Sequence, residues 1–315
     1  MLDKWEAMPP NKAIISSLES ENLEVDLFLE AILQQYGYDF RHYARASLLR
    51  RIESVRAREG KAHIADLVSC VIHDTGFFDR FLRDLSVTVT SMFRNPSVFS
   101  TLRKKVLPKL HTYPQINVWL AGCATGEEVY SLAIILHEEG LLEKSKIHAT
   151  DFNHGSLQVA DQGIYPIKSM KQNTENYLKS GGSEAFSDYY CSNYESVKMS
   201  SFLRSNIVFS HHNLICDGVF EEMHLVLCRN VLIYFDQDLQ NRALEIFRNS
   251  LIHRGFLMLG DRESLRFSSV SKDFDDQIDR TRIYQKKLIV DGKGSGCSKI
   301  DVRANSESSG SDNAN

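Results

Sequence analysis

Two glycines and two glutamates in the first half of the chain could build a ligand-binding turn. The apolar run Ile116 to Ala121 is typical of a buried strand. Gly122 and Gly126 then allow a tight turn and a close approach of the backbone to a ligand. Glu127 and Glu128 follow at the start of a predicted helix, where negative charge is favourable and a bound phosphate would be repelled. The pattern favours a nucleoside-like ligand with a positive group and no phosphates, a description that S-adenosylmethionine fits.

Two common nucleotide-binding signatures are absent from this turn. It is not G-x-G-x-x-G, and no Lys-Ser or Lys-Thr pair follows the second glycine. A nicotinamide-dependent oxidoreductase with a Rossmann fold is therefore disfavoured. A structural interpretation stays open, in which the glutamates only cap a helix and the glycines only turn the chain.

Polar side chains follow several of the predicted strands. Asp151 ends the run Lys146 to Thr150, where an acidic side chain can accept both hydroxyls of a ribose. Later predicted strands are followed by further polar or aromatic positions, namely Asn213-Leu214, Arg229-Asn230 and Tyr234. Ligands of doubly wound sheets bind at the carboxyl ends of the strands, so we expect these residues to share one site. Taken singly, Asp151 could instead cap the next helix and Tyr234 could be a packed aromatic side chain.

The elements that must position these residues change in character along the chain. Helical spacing of apolar residues from Val25 predicts a helical N-terminal domain over 21–106, after a loose segment over 1–20. Residues 107–290 alternate short strands with helices, an α/β pattern interrupted by a small inserted subdomain at about 164–206. The polar stretch 291–315 is predicted to be a disordered tail. The predicted strands are Ile116 to Ala121, Lys146 to Thr150, Ile207 to Ser210, His224 to Cys228, Gly255 to Leu259 and Arg282 to Lys286.

Composition limits the class of protein. The chain has 315 residues, 43% of them hydrophobic, and a net charge of -4, which argues against general affinity for nucleic acid. We expect no membrane insertion and a cytoplasmic location, because no segment is apolar enough to span a bilayer and no signal-peptide core is present. The six scattered cysteines indicate reduced thiols, and no metal site is expected.

Several segments together resemble the CheR family of chemotaxis methyltransferases, over roughly residues 25 to 288. The most specific of them is the run from Cys228 to Phe235. The others are Thr88 to Arg94, Ala124 to Ser131, Ala149 to Asp151, Gly163 to Tyr165 and Asn213-Leu214. The resemblance implies a Rossmann-like S-adenosylmethionine-dependent methyltransferase sheet. It also implies methyl transfer to glutamate side chains of chemoreceptors, which gives glutamate methyl esters and S-adenosylhomocysteine.

The resemblance also assigns roles to residues of this chain. Arg94 and Tyr234 match residues near the transferred methyl and are the predicted catalytic residues. The predicted cofactor-binding residues are Thr88, Thr90, Arg94, Glu128, Asp151, Asn213, Leu214, Arg229 and Asn230. The helical domain would meet the receptor's methylation helices through a basic cluster comprising Arg41, Arg45, Arg50, Arg51, Arg56 and Arg58. A solvated basic helix face is the alternative interpretation of that cluster.

Departures from the family keep other functions open. Thr88 stands where the family usually has Asn, Val129 where it has Pro, and Gly260-Asp261-Arg262-Glu263-Ser264 where it has a Gly-His-Ser-Glu run. The inserted subdomain is unusual in length and composition, so a role in tethering a receptor peptide is not carried over. The alternatives are a CheR-like regulatory or scaffolding module that binds S-adenosylmethionine without methylating receptors, and a small-molecule methyltransferase.

Overall fold

The computed structural model describes residues 17–85, 90–214, 217–220, 222–276 and 278–288. Four helices form the N-terminal part of the structure and pack around a core of their own, in which Phe28, Ile52 and Phe81 are fully buried. Their helical character agrees with the prediction for this part of the chain. The helices are α1 (Ser17–Tyr36), α2 (Arg45–Arg58), α3 (Asp66–His73) and α4 (Phe77–Leu85).

The predicted N-terminal boundary was placed too late. Helix α1 begins at Ser17, so residues 17–20 belong to it rather than to a loose segment. Glu19 in the first turn of α1 places a negative charge where the helix dipole favours one. The rest of that segment, residues 1–16, and the predicted tail at 291–315 lie outside the described residues.

Residues 92–110 pack with the sheet rather than with the helical domain to which we assigned most of them. They contain α5 (Pro96–Thr101), a π-helical turn over Leu102–Val106, and α6 (Leu107–Leu110). Phe99 and Leu102 are fully buried in the same core as Val118 of the sheet. The helical character is as expected, but the apolar side chains are buried against the next domain, which the spacing alone could not show.

A six-stranded sheet forms the centre of the α/β domain, with strand order β6-β2-β1-β7-β8-β9. All neighbouring strands are parallel except β8 and β9, which are antiparallel. The strands are β1 (Ile116–Ala121), β2 (Ser145–Asp151), β6 (Ile207–His211), β7 (Met223–Cys228), β8 (Leu251–Leu259) and β9 (Ile283–Gln285). Helices that accompany them are α7 (Glu127–Glu138), α8 (His154–Gln162) and α11 (Gln237–Ser250). A mixed, mostly parallel α/β sheet is thus present, as predicted. Each predicted strand falls within two residues of an observed one, except that β8 begins earlier.

The region at 164–206 forms a separate small sheet with strand order β3-β5-β4. Both pairings in it are antiparallel. It contains β3 (Ile164–Pro166), α9 (Met170–Lys179), β4 (Tyr190–Asn193), β5 (Ser196–Met199) and α10 (Ser201–Arg204). The interruption of the strand–helix alternation in the sequence therefore marks an inserted sheet with its own pairing.

A short backbone bridge holds the helical domain against the carboxyl ends of the central strands. Tyr43 forms an isolated antiparallel bridge with Phe235. The backbone N–H of Ala44 donates to the Tyr234 carbonyl at 2.7 Å, and the N–H of Asp236 donates to the His42 carbonyl at 2.8 Å. Helix α2 begins directly after this bridge, so its first turns are brought over the edge of the sheet.

Candidate functional site

One cavity of about 220 Å³ lies between α2 and the carboxyl ends of the central strands. All predicted site residues that the structure describes line this cavity. They are Thr90, Arg94, Glu128, Asp151, Asn213, Leu214, Arg229, Asn230 and Tyr234. Thr88, the remaining predicted site residue, lies outside the described residues. Strand-end placement thus brings together side chains that are far apart in the sequence.

The glycine turn after β1 forms one wall of the cavity and depends on the absence of side chains. Backbone N–H groups of Gly122 and Cys123 donate to the Thr150 carbonyl at 2.8 and 2.9 Å, which ties the turn to the end of β2. Gly122 has a φ of +77°, and a Cβ there would come within 2.4 Å of the Val231 side chain. A larger residue would therefore strain the turn and push away the next segment of the wall.

Asp151 presents a buried carboxylate at the end of β2. One of its oxygens accepts the N–H of Ala124 at 2.8 Å, and the other accepts the N–H of Asn153 at 2.9 Å. Burial raises the pKa of Asp151 above its usual range, although these backbone donors oppose the rise. Each carboxylate oxygen has a further lone pair, so Asp151 can still accept hydroxyl groups from a ligand in the cavity.

A buried ion pair connects the glycine-turn helix to the segment after β7. Arg229 donates from Nη1 to Glu128 at 2.6 Å, and the exposed side-chain fractions are 1% and 18%. Its Nη2 donates to the Arg94 carbonyl at 3.0 Å and to the Asn95 side chain at 3.2 Å. The guanidinium also lies 5.4 Å from the centre of the Phe99 ring. Arg229 thus connects its own segment to two others, the start of α7 and the stretch 94–99, which its position in the sequence did not indicate.

The two glutamates of the opening turn have different surroundings. Glu128 lines the cavity, whereas Glu127 accepts a hydrogen bond from the Thr125 hydroxyl at 2.6 Å and is not part of the cavity wall. Burial raises the pKa of Glu127. This arrangement leaves Glu128 as the glutamate that can face a ligand.

Glu263 supports the cavity from behind and was not among the predicted site residues. Its carboxylate accepts backbone N–H groups from Asn230 at 3.1 Å, Val231 at 2.9 Å and Gly260 at 2.6 Å. Asn230 needs this support because its φ of +62° is unusual for a residue with a side chain. The available signal was an acidic residue shortly after β8, the strand next to β7 in the sheet, within a run that differs from the usual family sequence.

Arg51 and Tyr43 of the helical domain also line the cavity. The Arg51 guanidinium lies 5.0 Å from the centre of the Tyr234 ring. Arg51 belongs to the basic cluster that was predicted to face a receptor, and the structure places it beside Tyr234, a predicted catalytic residue. Four other members of the arginine cluster form ion pairs within the described part of the chain: Arg41 with Asp39 and Glu30, Arg45 with Asp26, Arg56 with Glu53, and Arg58 with Asp84 and Glu59.

The cavity suits a nucleoside that carries a cationic group. Asp151 and Glu128 provide acceptors at two of its walls, and the bare backbone at Gly122 leaves room for close approach. Among the described residues, no group of three or more His, Cys, Asp or Glu side chains could hold a metal ion. Within the same ranges, no helix is long and apolar enough to cross a membrane.

Comparison with known proteins agrees with this architecture. The profile of the CheR methyltransferase all-alpha domain matches residues 23–86, and that of the CheR methyltransferase SAM binding domain matches residues 88–280. A protein of Pseudomonas putida, the candidate methyltransferase Cher3, is 47% identical over 272 residues, which are 86% of this chain and all of that protein. A chemotaxis protein methyltransferase of Listeria innocua is 28% identical over 80% of this chain and 93% of its own length.

A third relative is much longer than this chain. An uncharacterized 104.1 kDa protein of Rhodobacter capsulatus is 32% identical over 258 residues, which cover 78% of this chain but only 26% of that protein. The two profile matches together span both the helical domain and the central sheet. The chain belongs to the CheR methyltransferase family and has its S-adenosylmethionine-binding domain.

Proposed function

We propose that this protein transfers methyl groups from S-adenosylmethionine to glutamate side-chain carboxylates in the cytoplasmic helices of chemoreceptors. The products are glutamate methyl esters and S-adenosylhomocysteine. The observation that carries the proposal is the position of the Arg51 guanidinium, 5.0 Å from the centre of the Tyr234 ring. Both side chains line the cavity that Asp151 and Glu128 also line. A fixed cation next to the predicted catalytic tyrosine suits an anionic acceptor.

Asp151, Glu128 and the glycine turn would hold the adenosyl and amino-acid parts of the cofactor. When bound, S-adenosylmethionine supplies an electrophilic methyl on a sulfonium. Asp151 would accept ribose hydroxyls, and Glu128 would face the positive end while Arg229 keeps it in position. Thr90, Asn213, Leu214 and Asn230 would complete the binding wall.

The acceptor needs no general base in this cavity. A glutamate carboxylate has a reference pKa of about 4.3, so it is already ionised at neutral pH. Arg51, Arg94 and Tyr234 would therefore orient the carboxylate and exclude water rather than exchange protons. We infer that turnover depends on the positions of these side chains and not on their titration.

The receptor would approach from the side of the helical domain. Four members of the arginine cluster already have carboxylate partners in this chain, but most of the side chains in these pairs are at least one-third exposed. Such pairs contribute on the order of 1 kcal/mol or less, so exchanging them for receptor carboxylates would cost little. Arg50 lies beside Arg51 on the same helix but is exposed and does not line the cavity.

Replacing Arg51 tests whether the acceptor is anionic. We expect Arg51→Gln to raise the KM for a receptor fragment by about tenfold to a hundredfold, because a charged hydrogen bond is lost. The Kd for S-adenosylhomocysteine, measured by calorimetry, should stay within about twofold. Arg50→Gln is the matched control and should change KM by less than about threefold. Equal KM effects at both positions, or a Kd that weakens as much as KM rises, would contradict this role.

Replacing Tyr234 or Arg94 tests the absence of acid–base catalysis. We expect Tyr234→Phe and Arg94→Ala each to lower kcat by at least about tenfold, because the carboxylate is less well oriented. The pH profile of kcat should keep its shape in both variants, since no proton transfer is removed. Initial rates over a range of pH values with saturating cofactor provide the measurement. A bell-shaped profile whose limb moves on either substitution would show that the side chain exchanges a proton.

A further inference from the structure

Tyr43 brings a hydroxyl group of the helical domain to the wall of the cavity. Its side chain is only partly buried. Over the ranges that the structure describes, this hydroxyl makes no hydrogen bond, and it is not one of the unpartnered polar atoms that are closed to solvent. The hydroxyl oxygen is therefore accessible, and its lone pairs are available to a ligand.

The aromatic ring of Tyr43 is fixed by its neighbours. It meets Phe40 and Phe235 edge to face, and both ring centres lie 5.2 Å from its own. The backbone is fixed as well, because Tyr43 forms the isolated bridge with Phe235 and the next residue, Ala44, donates to the Tyr234 carbonyl at 2.7 Å. The position of the hydroxyl is thus set before a ligand enters, which reduces the entropic cost of contacting it.

The aromatic neighbours of Tyr43 show which part of the cavity it faces. Phe235 comes after β7 in the chain, whereas Phe40 also packs on Phe152, directly after β2, with ring centres 6.4 Å apart. Strand β1 lies between β2 and β7 in the sheet. Tyr43 therefore lies over the carboxyl end of β1, between the parts of the cavity formed after β2 and after β7.

The surroundings of the Tyr43 hydroxyl agree with this position. Burial by the surrounding protein raises its pKa well above the usual range, the Asp151 carboxylate raises it further, and Arg51 lowers it. Both charged residues line the cavity. Because protein encloses the hydroxyl so closely, the accessible part of its surface faces the cavity. The raised pKa keeps the hydroxyl neutral at physiological pH, so it offers lone pairs without a formal charge.

The sulfonium of S-adenosylmethionine connects the ribose to the methyl that is transferred. If Asp151 holds the ribose and Arg51 orients the acceptor carboxylate, as proposed above, the sulfonium lies between them and beside Tyr43. We propose that the Tyr43 hydroxyl oxygen contacts the sulfonium and its methyl group, so that the site distinguishes the positively charged cofactor from its neutral product. The attraction is strengthened by the exclusion of water and ends when the methyl is transferred. The inference rests on the proposed function and adds a specificity-determining residue from the helical domain.

Binding of sinefungin and S-adenosylhomocysteine to the full chain, measured by calorimetry, tests the inference. Sinefungin has a protonated amine in place of the sulfonium methyl, whereas S-adenosylhomocysteine has a neutral sulfur there. We expect Tyr43→Phe to weaken sinefungin binding by about tenfold or more, because a hydrogen bond to a charged group is lost. The Kd for S-adenosylhomocysteine should change by less than about threefold, since the ring and its packing are kept.

Tyr36→Phe is the matched control. The Tyr36 hydroxyl also belongs to the helical domain, but it donates to the Val71 carbonyl at 3.0 Å and does not line the cavity. Its removal should leave the ratio of the two affinities within about twofold of the wild-type value.

A second measurement covers the case in which Tyr43→Phe does not fold. In wild-type protein labelled with ¹³C at the Cζ atoms of tyrosine, the Tyr43 resonance should move further with sinefungin than with S-adenosylhomocysteine. A loss of sinefungin affinity in Tyr43→Phe no larger than that of S-adenosylhomocysteine, or a Tyr43 resonance that moves no further with sinefungin, would overturn the role of Tyr43 and leave the proposed function intact. Failure of the wild-type protein to bind either ligand would instead overturn the cofactor site as a whole.

Discussion

Replacing Arg229 with methionine is expected to weaken binding of S-adenosylhomocysteine by at least about a hundredfold. The substitution keeps an apolar side chain against Phe99 but removes the charge that pairs with Glu128. Breaking one side of a buried ion pair costs about 3–5 kcal/mol of folding stability, because the remaining charge is left without a partner. Affinity falls because Glu128 is then no longer held in position at the cavity wall. The substitution also releases the Arg94 carbonyl and the Asn95 side chain, so a second wall of the cavity loses its support.

Arg103 offers a matched control for that substitution. It is also buried, with 8% of its side chain exposed, and it pairs with Glu138 and with Glu139, the latter at 3.0 Å. Arg103 does not line the cavity. Arg103→Met should lower the free energy of unfolding yet leave the Kd of the folded protein within about threefold of wild type. Calorimetry well below both melting temperatures measures the two Kd values. A Kd for Arg229→Met that stays near the wild-type value would contradict the positioning role of this arginine.

Replacing Glu263 with alanine should cause the second largest loss of cofactor affinity and should also lower the melting temperature. The change leaves the N–H groups of Asn230, Val231 and Gly260 without their acceptor, and each such buried group costs about 1–3 kcal/mol. We expect a clear fall in melting temperature and a loss of cofactor affinity of about tenfold or more, because the Asn230 turn is no longer held. Glu263→Gln keeps one accepting oxygen and should show a smaller loss of both quantities.

Glu127→Gln is the control for the Glu263 variants, because Glu127 is also a largely buried glutamate with a raised pKa but lies outside the cavity wall. It should change cofactor affinity by less than about threefold.

The pH dependence of the melting temperature provides a second test of Glu263. Burial raises the pKa of Glu263 above 4.5, so folding favours its protonated form, and its contribution to stability is lost as pH rises through the folded pKa. The wild-type protein should therefore gain stability relative to Glu263→Gln as pH falls from neutral toward 4.5. An affinity loss in Glu127→Gln equal to that in Glu263→Gln would argue against a specific role for Glu263.

Local sequence signals were sufficient to predict the strands and to identify the site residues that directly follow them. The run Ile116–Ala121 is observed as predicted, because a strand buried on both faces needs a continuous apolar stretch. Asp151 and Asn213 then fall in one cavity, since parallel strands end at the same edge of a sheet. This part of the site follows from chain order and from sheet geometry alone.

Contacts between segments that are distant in the sequence could not be predicted from local sequence signals. Glu263 supports Asn230 because β8 pairs with β7, a pairing that brings together residues more than thirty positions apart. Arg51 reaches Tyr234 because the Tyr43–Phe235 bridge sets the position of α2. Composition showed a basic helix but gave no information on which arginine turns inward.

The proposed methyl transfer to receptor glutamates is tested most directly by labelling a receptor fragment. The full chain is incubated with methyl-labelled S-adenosylmethionine and chemoreceptor cytoplasmic fragments, and the receptor peptides are analysed by mass spectrometry before and after mild alkali. The Tyr234→Phe variant serves as the low-activity control. We predict label on receptor glutamates as base-labile methyl esters, with a clearly slower rate in the variant. Tight binding of S-adenosylhomocysteine by the wild-type protein, with no base-labile label on any receptor, would contradict the claim and would favour a binding module that does not methylate receptors.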